Sequence, residues 1–187
     1  MSYHFVGLMC VLGISLCVNN LAVAQSSYRQ LTVSDFKGAP RTAGDNAVAY
    51  TNCDVEFRYH VHAENNIYQL TFDVRVVMQP YKSWLDHSRI ISPAMMERVL
   101  KHEQGHYNIA CLEQAEILRE AARTRFDANY QAEASRLFDR VHAKYEQLNK
   151  DYDLDTQHSL DDKQQHSWDV YFQRRMMYAP PIAKMGY

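Results

Sequence analysis

The sequence predicts an α+β domain in which a small antiparallel sheet packs on one long helix plus two further helices. Three observations carry this. Two consecutive stretches between residues 55 and 76 alternate apolar and polar side chains, the period of half-buried strands. The chain from Ala94 to about Phe126 has no proline and repeats apolar residues at helical spacing. Glycine (6) and proline (5) are scarce in 187 residues, so loops should be few. Strands followed by helices, rather than alternating with them, favour α+β over a parallel α/β sheet.

The first 24 residues differ from the rest. Met1 to Ala24 contains no Lys, Arg, Asp or Glu, and an apolar run from Phe5 to Val18 precedes Ala22-Val23-Ala24. A short apolar core before an A-x-A site reads as a secretory signal peptide rather than a membrane span. The expected organisation is a signal peptide over 1–24, one domain over 25–178 and a flexible tail over 179–187. The expected location is therefore secreted or periplasmic, with no membrane association after cleavage. A formal charge of −2, from 20 basic and 22 acidic residues, argues against a nucleic-acid partner. Cleavage would leave two of the four cysteines, Cys53 and Cys111. An oxidising compartment makes a disulfide between them the expectation.

Residues 25–45 read as an extended lead-in with a short strand near Leu31–Val33. Val55, Phe57, Tyr59 and Val61 then alternate with polar neighbours. After Ala63-Glu64-Asn65-Asn66 the alternation resumes through Tyr68, Leu70, Phe72, Val74 and Val76. This is an antiparallel hairpin whose apolar face must be covered. Ser92-Pro93 starts the first helix, with Ser at the N-cap and Pro at the first helical position. Met96, Val99, Leu100, Ile109, Ala110, Ile117 and Leu118 form its stripe. A second helix is expected from Tyr130 to about Lys150, with Leu137, Phe138, Val141, Tyr145 and Leu148 inward. A third is expected from about Asp161 to Met176, with Ser159 as N-cap and Trp168 and Tyr171 as anchors.

The first helix contains His102-Glu103-Gln104-Gly105-His106, the pattern H-E-x-x-H. Four residues make just over one turn, so both imidazoles leave one face and can share one metal ion. Neutral imidazole suits Zn2+, and a catalytic zinc site lowers the pKa of its water. Glu103, one step round, is placed to take that water's proton and pass it to a leaving amine. Gly105 inside a helix costs about 1 kcal/mol relative to alanine, which suggests close approach by another backbone or by the metal.

A third ligand is required. The metzincin extension needs glycine at 109 and histidine at 112, where this chain has Ile109 and Leu112. Glu113, Glu116, Asp127, Glu133 and Asp139 are candidates. From His106 to the break near Ala128 is about 22 residues, roughly 33 Å of helix, and an antiparallel second helix returns about as far. That brings Asp151–His158 back beside His106. His158 is the favoured third ligand, Asp155 the residue that orients a ligand imidazole, and Tyr152 a donor to a developing oxyanion. The spacing of Asp151, Asp153 and Asp155 does not fit a calcium loop.

Leu100-Lys101-His102-Glu103-Gln104-Gly105-His106-Tyr107-Asn108-Ile109, the upstream Ser83-Trp84, the downstream Tyr152-Asp153-x-x-Thr156-x-His158 and Gln165-x-x-Trp168 together resemble a bacterial family known as domain of unknown function 922. That family is described as predicted secreted zinc-dependent proteases of the zincin clan. The resemblance spans roughly residues 30–175. It implies a zincin-like fold, one Zn2+ on His102, His106 and His158, and Glu103 as base. Two positions depart from the family's habit: Ser159, where glycine is frequent, and Cys111, where an acidic residue is frequent. The resulting expectation is a zinc metallopeptidase acting on a peptide or protein substrate. The strand Tyr68–Met78 should form one cleft wall and pair with the substrate. The alternative is a zinc-binding but non-hydrolytic periplasmic binding or assembly module.

Overall fold

The computed structural model describes residues 29–41 and 47–177. The expected signal peptide (1–24) and tail (179–187) lie outside the described residues.

The lead-in does not form the short strand expected near Leu31–Val33. It closes into a 3-10 turn over Val33–Asp35 because Asp35 gathers the local donors. Its carboxylate accepts from the Thr32 amide at 2.7 Å and the Thr32 hydroxyl at 3.1 Å, and it pairs with Arg29 at 2.7 Å. The Leu31 amide donates to Gln104 Oε1 at 2.7 Å, which ties the lead-in to the helix that carries the histidines.

Strands β2 (Cys53–Glu64) and β3 (Ile67–Met78) form the expected antiparallel hairpin, longer than the alternation alone marks. Asn65 and Asn66 form the turn, with φ of 49° and 62°. Two consecutive left-handed residues match the right-handed strand twist, and asparagine tolerates that region. The register pairs Val55 with Val76, Phe57 with Val74 and Tyr59 with Phe72, so one face carries every apolar pair. A second two-stranded ladder joins β1 (Ala49–Tyr50) to β4 (Trp84–Leu85).

Helix α1 spans Pro93–Arg123, with the Ser92 hydroxyl accepting from the Met95 amide at 3.2 Å. Helix α2 spans Tyr130–Thr156 and α3 spans Asp162–Met177. Helices α1 and α2 cover the sheet face, and α3 packs against both of them. One core joins Val74 of β3 to Ile109 and Ile117 of α1, Leu137, Val141, Tyr145 and Tyr152 of α2, and Phe172 of α3. A second core, around Leu31, Met78, Leu85, Val99 and Tyr107, packs the lead-in and short strands on the other side of α1. Ile109 and Ile117 are fully buried, each contributing roughly 1.5–3 kcal/mol. Helix α1 is thus held on both sides, which fixes the rotation of its histidines. Among the described residues no helix is long and apolar enough to cross a membrane.

Helix α2 runs six residues past the expected end at Lys150. Tyr145, Tyr152 and Thr156 are all buried at helical spacing, so the apolar period continues beneath the acidic residues. The helix then stops in a run of positive φ: Gln157 at 49°, His158 at 52° and Ser159 at 78°. Ser159 is buried in this corner and does not cap α3. Asp161 caps it instead, accepting from the Gln164 amide at 2.9 Å.

Cys53 and Cys111, the pair of the expected disulfide, are both half-buried and pack against the same core. Cys53 Sγ lies 3.7 Å from Met78 Sδ, and burial, aided by the nearby Cys111, pushes its pKa up to about 12.

A left-handed φ disfavours any residue with a Cβ. Ser159→Gly is therefore expected to stabilise the fold by about 1 kcal/mol, read as a rise of a few degrees in Tm. A fall in Tm would show that the serine side chain compensates for the strain.

Candidate metal centre

Helices α1 and α2 run antiparallel and face one another over the H-E-x-x-H turn. His102 and His106, one turn apart, bring their Nε2 atoms to 3.3 Å. From α2, Asp153 Oδ1 lies 3.2 Å from His102 Nε2 and 3.1 Å from His106 Nε2. These donors form the group of metal-competent atoms among the described residues, all within 4.8 Å of one another. Ligands of tetrahedral zinc at about 2.0–2.1 Å stand about 3.3 Å apart. The observed triangle has edges of that size.

The far side of each imidazole is also tied. His102 Nδ1 meets Thr156 Oγ1 at 3.2 Å, and that hydroxyl donates to the Tyr152 carbonyl at 2.6 Å. With its proton committed, the hydroxyl can only accept from His102 Nδ1–H. His106 Nδ1 meets Asn149 Oδ1 at 2.9 Å, while Asn149 Nδ2 donates to the Tyr145 carbonyl at 3.2 Å. The amide is thereby turned so that its oxygen accepts from the ring. Both hydrogen bonds place the imidazole proton on Nδ1 and leave Nε2 as the donor atom facing Asp153, the arrangement a metal ligand needs.

The site is rich in negative charge. Burial opposes a charged His106, but the Asp153 hydrogen bond and the Glu103 charge outweigh it and raise its pKa to about 9. Burial likewise works against the Asp153 carboxylate, yet the two histidines hold its pKa far below the usual carboxylate range. Glu103 is buried, and its Oε2 has no hydrogen-bond partner. A buried carboxylate oxygen without a partner is costly and calls for one from outside the chain.

Gly105 is explained by a side chain rather than by a backbone or a metal. A Cβ there would overlap the Tyr152 phenol. The Tyr152 ring lies flat on the His102 ring, with centroids 4.7 Å apart and planes 12° from parallel. Its hydroxyl donates to the His102 carbonyl at 3.0 Å and accepts from Gln165 Nε2 at 2.9 Å. Tyr152 is fully buried, and burial raises its pKa. The oxyanion role expected for it is therefore corrected: this phenol is spent inside the fold.

The other expected residues fall as follows. His158 is beside the triad, with Nδ1 3.4 Å from Asp153 Oδ1 and its ring 6.3 Å from that of His102. It is half exposed and outside the compact donor group, and Asp153 stands where His158 was expected. Asp155 does not orient a ligand; it accepts from Trp168 Nε1 at 3.0 Å, and Thr156 and Asn149 do the orienting. Glu113 binds His142 at 2.8 Å, and Glu116 binds Lys144 and Tyr145. Asp127 accepts from the Asn129 amide and Glu133 from the Asp127 amide, while Asp139 belongs to no such donor group. The missed residues share one signal. Asn149, Asp153 and Thr156 repeat at i, i+4 and i+7 on α2, a polar stripe that mirrors the histidine pair.

A cleft of about 690 Å³ opens over this centre. One side is the α1–α2 groove with His102, Glu103, His106, Asn149, Asp153 and His158. The other is the segment Ala47–Val55, covering β1 and the start of β2. The expected wall, Tyr68–Met78, does not line it. In the hairpin β3 pairs with β2, and it is the β2 side that faces the histidines.

Fold and site together define an α+β protein whose long helix presents two oriented imidazoles to a carboxylate on the next helix. The model of the family described as bacterial protein of unknown function (DUF922) matches residues 18–159, and the chain belongs to that family. No curated protein and no solved structure matches it.

Two outcomes are expected. Gly105→Ala should destabilise the protein by about 1–3 kcal/mol, seen in thermal unfolding, because the overlap is with a buried ring held by two hydrogen bonds. Asp153→Ala should weaken zinc binding by roughly 100-fold and His158→Ala by less than about tenfold in a competition titration. The reverse order would restore His158 as third ligand.

Proposed function

We propose that this protein is an exported zinc metallopeptidase of zincin type, hydrolysing peptide bonds in a peptide or protein substrate. The observation that carries this reading is the pair of Nε2 atoms 3.3 Å apart, each ring held by its Nδ1 and both facing Asp153. His102, His106 and Asp153 would hold one Zn2+, with His158 alongside. When bound, the ion supplies Lewis acidity, which polarises a carbonyl and acidifies a water.

The remaining work falls to the chain. Glu103 sits next to His102 on α1 and lines the same cleft. It takes a proton from the attacking water and returns it to the leaving nitrogen, at the same oxygen in both steps. Thr156 and Asn149 keep the two rings from turning as charge develops. The start of β2 has β3 on one edge only, so its other edge is open to an extended peptide laid along the cleft. The leader over residues 1–24 supports export.

Glu103→Gln keeps the shape of the side chain and removes the base. It should retain zinc and lose peptide hydrolysis by at least about 100-fold, measured by mass-spectrometric cleavage of a peptide library with a chelator control. Full activity in this variant would refute the mechanism. Zinc retention with no turnover in the wild-type protein would favour a non-hydrolytic binding module.

A further inference from the structure

The Tyr152 phenol opens a path of polar side chains that leads from α2 to α3 and back to α1. The phenol donates to the His102 carbonyl and accepts from Gln165 Nε2. Gln165 Nε2 also donates to Asp169 Oδ1 at 3.1 Å, one turn along α3. Asp169 Oδ2 pairs with Lys101 Nζ at 2.5 Å, and Lys101 is the residue before His102. The path therefore starts and ends on neighbouring residues of α1. Gln165 is 5% exposed and Tyr152 is fully buried, so each depends on the other for its partner.

The direction of every bond is fixed. The phenol has one proton and gives it to the His102 carbonyl, so its oxygen can only accept from Gln165. The Asp169 carboxylate can only accept as well. Gln165 therefore commits both hydrogens of its amide nitrogen, and a glutamate of the same shape would supply neither.

We propose that Gln165 is a positioning residue for the candidate metal centre: from α3, through the Tyr152 phenol, it sets how His102 stands against Asp153. The path to the donor atoms is short. The Tyr152 ring lies on the His102 ring, so a displaced phenol displaces the plane of the imidazole. Asp153 is the next residue on α2, and Thr156, which holds His102 Nδ1, donates to the Tyr152 carbonyl. One shift of Tyr152 thus disturbs a carboxylate ligand, the stacking surface of an imidazole ligand and the group that orients that imidazole. Gln165 itself bonds Tyr152 and Asp169, so its effect on the metal passes through the phenol. The inference rests on the zinc reading of His102, His106 and Asp153 and not on hydrolysis.

The test is the zinc affinity of the full chain, read by competition with a chromophoric chelator, with the visible absorption of the Co2+-loaded protein as second readout. Gln165→Glu keeps the shape and removes both donors, Gln165→Leu removes the amide, and Tyr152→Phe keeps the ring and removes the hydroxyl. Each should weaken zinc binding by roughly tenfold or more and shift the Co2+ bands. Gln165→Leu combined with Tyr152→Phe should bind no more weakly than the weaker single variant, because both act through one hydrogen bond. Asp155→Ala removes a different α2–α3 tie, the bond from Trp168 Nε1 at 3.0 Å, and should leave affinity and bands unchanged. The two Gln165 variants carry the result alone if Tyr152→Phe does not fold. Parent affinity in both Gln165 variants, losses that multiply in the double variant, or an equal loss in Asp155→Ala would each overturn the proposal. A parent chain that takes up no zinc would overturn it together with the metal centre. The expected losses in a protein that cleaves nothing would support the positioning role and remove the peptidase reading alone.

Discussion

The Tyr152 ring pressed between His102 and Gly105 sets the rest of the structure. Only a glycine at 105 lets α2 come close enough for that ring to lie on the imidazole. The phenol then locks the crossing through the His102 carbonyl and Gln165, so α3 is tied in as well. Once Tyr152 is fixed, helical geometry fixes its neighbours. Asp153 is one residue on, Asn149 three back and Thr156 four ahead, and these are the residues that meet the two histidines. A helix–helix contact chosen for packing is also what assembles the donor set.

Several features were legible in the sequence because they depend on local period alone. The hairpin follows from alternation, and its turn from two asparagines that tolerate left-handed backbone. The start of α1 follows from Ser92-Pro93, and the histidine pair from spacing of four. What was not legible depends on how elements meet. Asp153 is one of several acidic residues near the end of α2, and only the rotation of that helix singles it out from Asp151 and Asp155. Thr156 and Asn149 act through hydrogen bonds across the α1–α2 interface, which no spacing within one helix announces. The acidic run also hid the last turns of α2, since the buried period through Tyr145, Tyr152 and Thr156 lies between charged residues. The cleft wall was assigned to the wrong strand because strand alternation says which face is apolar, not which edge meets the helix.

The electrostatic character of the centre follows from the same crossing. Two carboxylates, Glu103 and Asp153, share a largely buried space with two imidazoles whose Nδ1 protons are already committed. The pull that raises His106 and lowers Asp153 is the pull a divalent cation would satisfy more fully, since one ion can meet both Nε2 lone pairs and the carboxylate together.

Metal content of the purified protein tests the centre most directly. Elemental analysis after dialysis against metal-free buffer should find close to one zinc per chain, lost when either His102 or His106 is replaced by alanine. A wild-type protein that retains no stoichiometric zinc, or whose zinc survives both substitutions, would contradict a metal centre at these histidines.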